Sequence, residues 1–462
     1  MESRRKFLKT SAAALAVAAA RPAYGFQGAN DRVRMAVIGC GNRAGRVFDG
    51  FARQKEVQWV AGCEVNDARR AQFLTPARTT FNMAMVKDYR RILERNDVDA
   101  VLIGTPDFSH ARIMIDAVAA GKDVYVEKPA SNNIERLNGM LDAYTKGKQV
   151  VQVGTQQRSW DHFAEAKKII DSGVLGPIRH VRIVQPGSYA SAKVAPQAVP
   201  PGLDWNMWQL NGMPLGAPER PFAPNRLSFR AWYEYGSGLI GDWGAHHIDV
   251  AHWFMNADHK VPVKTAAVGS FMTRPDADLV EMVPDTFSIA WQYDNFVMSF
   301  ANGEDARDPE DLEGWGVFFI SGLGSLQVNR MGWALRPTVP KTRNKVGPPP
   351  PPTAGNVQIA EQPAAGRAGG PGGGRGGRGG GNAPAVPLEK KIYINPRGGV
   401  EEDYPLDAHV QNFLACMKSR QKPNADMEIG YYAAMPAILA LESLKTGKIL
   451  GWDTAGRKAT AL

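Results

Sequence analysis

From residue 33 to residue 153, short apolar runs alternate with longer stretches of helical period. Segments 33–39, 57–63, 83–86, 100–104, 123–127 and 149–153 read as buried strands, because each is apolar and too short for a helix. Helical spacing at 109–120 and 133–148 separates the last three. Strands alternating with helices fold into a mostly parallel, doubly wound sheet, so an α/β domain is predicted over 31–153. Beyond it the pattern becomes α+β over 154–346. Segments 178–185, 263–272, 286–293, 296–301, 316–320 and 325–328 read as strands, with Asp294-Asn295 and Gly322-Leu323-Gly324 as hairpin turns. A strand-like Ile392-Tyr393-Ile394 and helical spacing at 407–419 and 427–446 follow, so 387–462 is expected to complete the second domain.

Two stretches break this pattern. Residues 347–386 hold a run of five prolines and then Gly-Gly-Arg repeats, which cannot bury enough apolar surface to offset the cost of ordering; a disordered insertion is expected. Residues 1–25 carry Ser3-Arg4-Arg5-Lys6-Phe7-Leu8-Lys9, an Ala-rich apolar run and the small residues Ala23-Tyr24-Gly25. That pattern reads as a twin-arginine export signal in preference to an amphipathic or disordered basic tail, and it is too short to be a bilayer span, which needs roughly 20 apolar residues. It implies the twin-arginine translocon as a partner, passage in the folded state and a periplasmic or otherwise exported protein.

Charge then loses its apparent message. Of the net +9, the first 25 residues hold +4 and residues 347–386 hold +2, leaving only +3 for the body. No basic face for nucleic acid remains. Cys40, Cys63 and Cys416 have no paired spacing and are expected as buried thiols; no metal-ligand spacing occurs.

The first strand runs into Gly39-Cys40-Gly41-Asn42-Arg43-Ala44, a G-x-G-x-x-A turn that opens a helix. Its glycines allow a tight turn and close approach of a pyrophosphate, which free N–H groups at the helix start can bind; small Ala44 lets the helix pack on the strand. Glu64 ends the second strand and can accept from ribose hydroxyls, favouring NAD, while Arg43, Arg69 and Arg70 leave NADP open. Further on, Asp242, His246, Asp249 and Trp253 are spaced by four, three and four, one face of a helix behind the glycines 236, 238 and 241. His247 lies on the neighbouring face.

Gly104-Thr105-Pro106 with His110, Glu127-Lys128-Pro129, and the Asp242, His246, Asp249 pattern resemble the motifs of the Gfo/Idh/MocA oxidoreductases, over residues 32–330 and again 400–453. The resemblance implies a Rossmann domain followed by an open, mainly antiparallel sheet whose outer face forms a homo-oligomer interface. It implies Lys128, Asp242 and His246 as catalytic, with His246 exchanging the proton of a substrate hydroxyl and Lys128 polarising its oxygen. Gly39, Gly41, Asn42, Arg43, Ala44, Glu64, Thr105, Pro106, His110, Glu127 and Lys128 would hold the nicotinamide cofactor, with His110 equally suited, as a helix-start histidine, to satisfying local backbone groups instead. Substrate-pocket candidates are Gln156, Gln157 and Arg158, just after the sixth strand, with Asp204, Trp205 and Trp208, and Asp242, His246 and His247. Three functions compete. The first is hydride transfer between a sugar, sugar derivative or cyclitol and a resident nicotinamide cofactor. The second is an NAD-dependent glycoside hydrolase that works by transient oxidation and elimination. The third is a non-catalytic sugar-binding protein on the same fold. A cofactor scarce outside the cytoplasm would be tightly held and regenerated in place.

Overall fold

A computed structural model describes residues 32–189, 191–192, 194–272, 281–303, 314–338, 389–391 and 406–462. The expected signal at 1–25, the insertion at 347–386 and the run 392–394 lie outside these residues. Six strands, β1 (Val33–Ile38), β2 (Val57–Cys63), β3 (Ala84–Val86), β4 (Ala100–Ile103), β5 (Asp123–Val126) and β6 (Val151–Val153), form one sheet in the order 3-2-1-4-5-6. Every pairing in it is parallel.

Both faces of this sheet are covered, which is why its strands read as nearly continuous apolar runs. Met35 and Val37 of β1 point to one side, where they join Phe48 and Phe51 of helix α1 (Asn42–Ala52). Ala36 and Ile38 point to the other, toward Met114 of α2 (His110–Ala119) and Met140 of α3 (Ile134–Lys146). Each buried Phe or Met contributes about 1.5–3 kcal/mol relative to an exposed one.

The second sheet has ten strands in the order β14-β13-β12-β11-β7-β10-β9-β8-β15-β16. They are β7 (His180–Val184), β8 (Lys264–Ser270), β9 (Thr286–Gln292), β10 (Val297–Ala301), β11 (Gly316–Ile320), β12 (Gly324–Asn329), β13 (Gly332–Pro337), β14 (Glu389–Lys391), β15 (Leu450–Asp453) and β16 (Lys458–Ala461). Only β10 with β7 is parallel, so the sheet is mixed and mostly antiparallel. Strand β9 alternates cleanly. Phe287, Ile289 and Trp291 are buried beneath, while Ser288, Ala290 and Gln292 share the outer face with Val268 and Val297, which are 70% and 44% exposed. Strand β13, the β15–β16 hairpin and the helix α4 (Asp161–Asp171), whose Phe163, Ala166 and Ile169 form a buried face, were not anticipated.

The C-terminal helices depart from the expected division. Strands β15 and β16 do extend the second sheet, but α6 (Asp407–Ser419) lies on the first domain, with Phe413 edge-on to Phe51 and Tyr125. Gln152 of β6 donates to the His409 carbonyl at 2.8 Å. Helix α7 (Met427–Thr446) bridges the two domains: Tyr431, Ile438 and Leu439 join the opposite face of the same sheet, while the Pro436 carbonyl accepts from Trp291 of β9 and the Ser443 hydroxyl from the Ala267 N–H of β8. The central helix α5 (Gly238–Phe254) is almost wholly buried along its length, so it is held by both domains' packing rather than by amphipathic patterning.

Burial of imidazoles gives the fold a defined response to acid. Burial holds His247 and His252 down to about 3 and His162 and His409 down to about 4. These rings are neutral in the folded chain and take up protons at about 6.5 when unfolded. The unfolded state therefore binds more protons through these rings at low pH, and their contribution to stability is constant above about pH 6.5 and falls as pH drops below it. Urea midpoints measured from pH 8 to 5 should decline only over the acid half of that range.

Candidate active site

A cavity of about 770 Å³ opens between the carboxyl ends of the first sheet and the start of α5. The chain leaves β1 through Gly39, which has φ of +86°; a Cβ there would come within 2.7 Å of the Thr105 side chain. Around Gly41 nothing lies within 4 Å of a Cβ position, so this turn presents bare backbone to open space. Helix α1 starts just after Gly41, which supplies no side-chain cap, and its first turn holds no acid, so the positive end of the helix dipole faces the turn. Ala44 sits so close to Gly104 that a Cβ on the latter would fall at 2.7 Å. The Glu64 carboxylate accepts from the backbone N–H of Cys40 and of Asn66, at 2.8 and 2.9 Å; burial pushes it up and these donors oppose that. A glycine cradle, an uncapped helix start and an acid at the tip of β2 are the features a dinucleotide needs, so the residues fit that group.

Arg43 ties this turn to the other half of the cavity. Its Nε donates to Glu127 at 2.9 Å, and the second Glu127 oxygen accepts from the Lys128 backbone at 3.2 Å. Gly154 leaves room for that carboxylate, since a Cβ would approach it to 2.8 Å. The Lys128–Pro129 peptide is cis.

Lys128 and α5 then meet. The Lys128 ammonium donates to Oδ1 and to the backbone carbonyl of Asp242, at 2.8 and 2.9 Å. Tyr189 donates to the other Asp242 oxygen at 2.5 Å, and Nε of Arg230 forms an ion pair with Oδ1 at 3.1 Å. Burial opposes ionisation of Asp242, but Lys128 and Arg230 override it and hold the carboxyl well below the usual range. One turn on, His246 also lines the cavity, and its buried Nδ1 has no hydrogen-bond partner among the described residues. Burial, then the nearby charges of Lys128, Arg330 and Arg43, drive its pKa well below the ordinary value, so the ring is a neutral imidazole. Trp243 lies edge-on to it at 6.0 Å, with the Arg330 guanidinium 4.5 Å above the indole.

Most of the expected residues meet here. Gly39, Gly41, Asn42, Arg43, Glu64, Thr105, Pro106, Glu127, Lys128, Gln156, Trp208, Asp242 and His246 line one cavity. Others do not. His110 lies behind the wall, its ring nitrogens 2.8 and 2.9 Å from the carbonyls of Thr105 and Pro129, so it joins the two motif loops instead of facing the cofactor space. Ala44 is absent from the cavity lining and packs against Gly104. Gln157 is fully buried away from the cavity, and it is its neighbour Gln156 that faces in. Trp205 donates to the Arg220 carbonyl within a small apolar cluster and stacks at 4.6 Å on Trp208, which reaches the cavity in its place. Asp204 caps the helix Trp205–Gln209. His247, on the far side of α5, pairs with Gln185 beneath Trp243. Tyr189, Arg230, Trp243 and Arg330 were missed. They come from loops, a one-turn helix, a hairpin end and an aromatic inside a motif, and local pattern marks none of the first three as functional.

Arg158 departs furthest from expectation. Its guanidinium is buried in ion pairs with Asp249 at 2.8 Å and Asp258 at 2.6 Å, with Trp253 alongside. The shared helical face of Asp242, His246, Asp249 and Trp253 is real, but only its first two residues open to the cavity; the rest seal the ion pair. Burial pushes Asp249 up to about 7 against the pull of Arg158. Removing the cation strands two acids, so Arg158→Ala should cost about 3–5 kcal/mol of stability, read as a lowered melting temperature. A change within error would show that the network is dispensable.

Comparison with known proteins follows this geometry. The N-terminal domain profile described as an oxidoreductase family, NAD-binding Rossmann fold, matches residues 33–155, and the partner C-terminal alpha/beta domain profile matches residues 161–316. An inositol 2-dehydrogenase of Gluconacetobacter diazotrophicus is 31% identical over 129 residues, covering 27% of this chain and 38% of that one. A levoglucosan dehydrogenase of Pseudarthrobacter phenanthrenivorans is 31% identical over 169 residues, 36% of each. The matched stretch thus spans well under half the length of these relatives. In overall fold the chain is similar to the WlbA dehydrogenase from Bordetella pertussis, solved in complex with NADH and UDP-GlcNAcA, with a TM-score of 0.56 at 15% identity over 91% of this chain and 99% of that one.

Proposed function

The chain belongs to the Gfo/Idh/MocA oxidoreductases, and from that premise we propose that it is an exported enzyme moving a hydride between a hydroxyl-bearing carbon of a sugar, sugar derivative or cyclitol and a resident NAD. The observation that carries the reading is the junction of Lys128, Asp242 and an imidazole kept neutral, in the same cavity as the glycine turn. Gly39, Gly41, Asn42, Arg43, Glu64, Thr105 and Pro106 would hold the cofactor, whose nicotinamide supplies hydride exchange when bound. A substrate hydroxyl between Lys128 and His246 would give its proton to the imidazole, while the ammonium stabilises charge growing on the oxygen. Asp242, fixed by Tyr189 and Arg230, holds the ammonium in place. Trp208, backed on one side by Trp205, offers a face on which a sugar ring can stack.

Protein purified from export-competent cells and then denatured should release NAD. Offered free sugars and aryl glycosides, the intact protein should show the absorbance of reduced nicotinamide with the former. Glycoside cleavage without net cofactor change would replace this reading with the redox-neutral hydrolase, and absence of any nicotinamide nucleotide would favour a sugar-binding protein. Export rests on Arg4 and Arg5 in the motif at residues 3–9; changing both to lysine should keep the protein in the cytoplasm. A homo-oligomer is proposed through the outer face carrying Val268 and Val297, and replacing both by Asp should lower the mass measured by light scattering.

A further inference from the structure

We infer that the substrate carries a carboxylate, and that the Arg230 guanidinium is its anchor. The inference rests on the oxidoreductase reading of the cavity and names the class of sugar it takes.

Arg230 stands in the one-turn helix Phe229–Ala231, just ahead of the glycine turn that starts α5. Its guanidinium is clamped against the Phe229 and Tyr189 rings, 4.7 and 5.5 Å from their centres, and its Nε is committed to Asp242 at 3.1 Å. The two terminal nitrogens make no hydrogen bond to any described residue, and the side chain is 37% exposed into the cavity it lines. A planar fork is thus held rigidly, with its outer N–H groups presented to whatever lies beside Lys128 and His246.

Charge points the same way. The single negative charge of Asp242 is faced by two cations, Lys128 at 2.8 Å and Arg230 at 3.1 Å. The next acid, Asp107, accepts from the Ser237 hydroxyl at 2.8 Å and is driven toward its neutral form by burial. A further cation, Arg330, lines the same wall. Positive charge in excess within a confined site favours an anionic ligand, and a guanidinium's paired N–H groups match the two oxygens of a carboxylate. A neutral sugar would leave both terminal nitrogens to weaker, single hydroxyl contacts.

The test sets D-glucuronate and D-galacturonate against D-glucose, D-galactose and D-glucose 6-phosphate, using the cofactor-loaded full chain. kcat/KM should favour the acids by about tenfold or more, the scale of a charge-assisted pair of hydrogen bonds. Arg230→Gln should collapse that ratio, and Arg230→Lys, a point charge without the fork, should restore only part of it. A ratio near one in the parent, a ratio retained in Arg230→Gln, or preference for the phosphate over both acids would overturn the inference. Calorimetric binding of the same compounds separates it from the broader reading. Acid binding that Arg230→Gln weakens about tenfold, with no sugar oxidised, upholds the anchor and sinks the oxidoreductase. Acids that bind no better than the neutral sugars, or not at all, sink the anchor whatever the turnover.

Discussion

Lys128→Met should lower kcat/KM about a thousandfold while the protein stays folded and loaded with nucleotide. Lys128 joins Asp242 to the space where a reacting oxygen would sit: its ammonium bonds Oδ1 and the backbone carbonyl of Asp242, and its side chain is only 9% exposed. Methionine keeps most of the stem's volume and so its packing, but it removes the only ammonium among the described residues in contact with Asp242. The expected loss follows from the 10²- to 10³-fold effects of deleting one donor to a developing oxyanion, increased here because the carboxylate loses its closest counter-charge. The carboxylate itself keeps Arg230 and Tyr189, so it is not left bare and the melting temperature should change by a few degrees at most. Bound nucleotide measured after denaturation should be undiminished, because the glycine turn and Glu64 are untouched. Activity within tenfold of the parent would remove Lys128 from the chemistry. Lys128→Arg should not rescue it, because a planar fork cannot make the compact contact that an ammonium makes.

The sequence revealed the cofactor half of this site better than the substrate half, for physical reasons. The glycine turn, the acid at the tip of β2 and the Glu127-Lys128-Pro129 loop lie at strand ends, where apolar runs mark the strand and a polar or glycine residue marks its end. Their positions in space follow once the sheet is known. The spacing of Asp242, His246 and Asp249 likewise read correctly as one helical face. What spacing could not reveal is where that face stops being cavity and becomes core. Asp249 lies seven residues from Asp242 and meets Arg158 instead of a ligand, and nothing local separates a buried ion pair from a pocket wall. Spacing likewise does not decide between pocket and core for Trp205, His110 and His247, which bury themselves by bonding carbonyls or side chains distant in sequence. Tyr189 and Arg230 were invisible for the opposite reason. They are set 53 and 12 residues before Asp242 by loops and a one-turn helix with no period, and only tertiary folding brings them to it. The C-terminal helices show a third limit. Both were legible as helices, but α6 covers the first sheet and not the second, a choice made by Phe413 against Phe51 and Tyr125 that helical spacing does not encode.

His246→Ala should cost a further distinct quantity, about 10²- to 10⁴-fold in kcat, the range for a positioned general base. Its form of failure distinguishes it from Lys128. A base works only when unprotonated, and the ordinary histidine would be half protonated near pH 6.5. Burial and the charges of Lys128, Arg330 and Arg43 depress the His246 value well below that. The acid limb of the pH–rate profile therefore lies below pH 6.5, and kcat for the parent enzyme should be flat from about pH 6.5 to 8. In His246→Ala the residual rate should lose that limb and rise with hydroxide or with added imidazole, which can enter the space the ring vacates. Lys128→Met, by contrast, should keep a base-dependent limb and shift it upward, since removing the closest cation lets the imidazole hold its proton to higher pH. A His246→Ala enzyme that retains the parent's profile would show that the proton leaves by another route. The Tyr189 hydroxyl, already bonded to Asp242, would then be the group to test, by Tyr189→Phe.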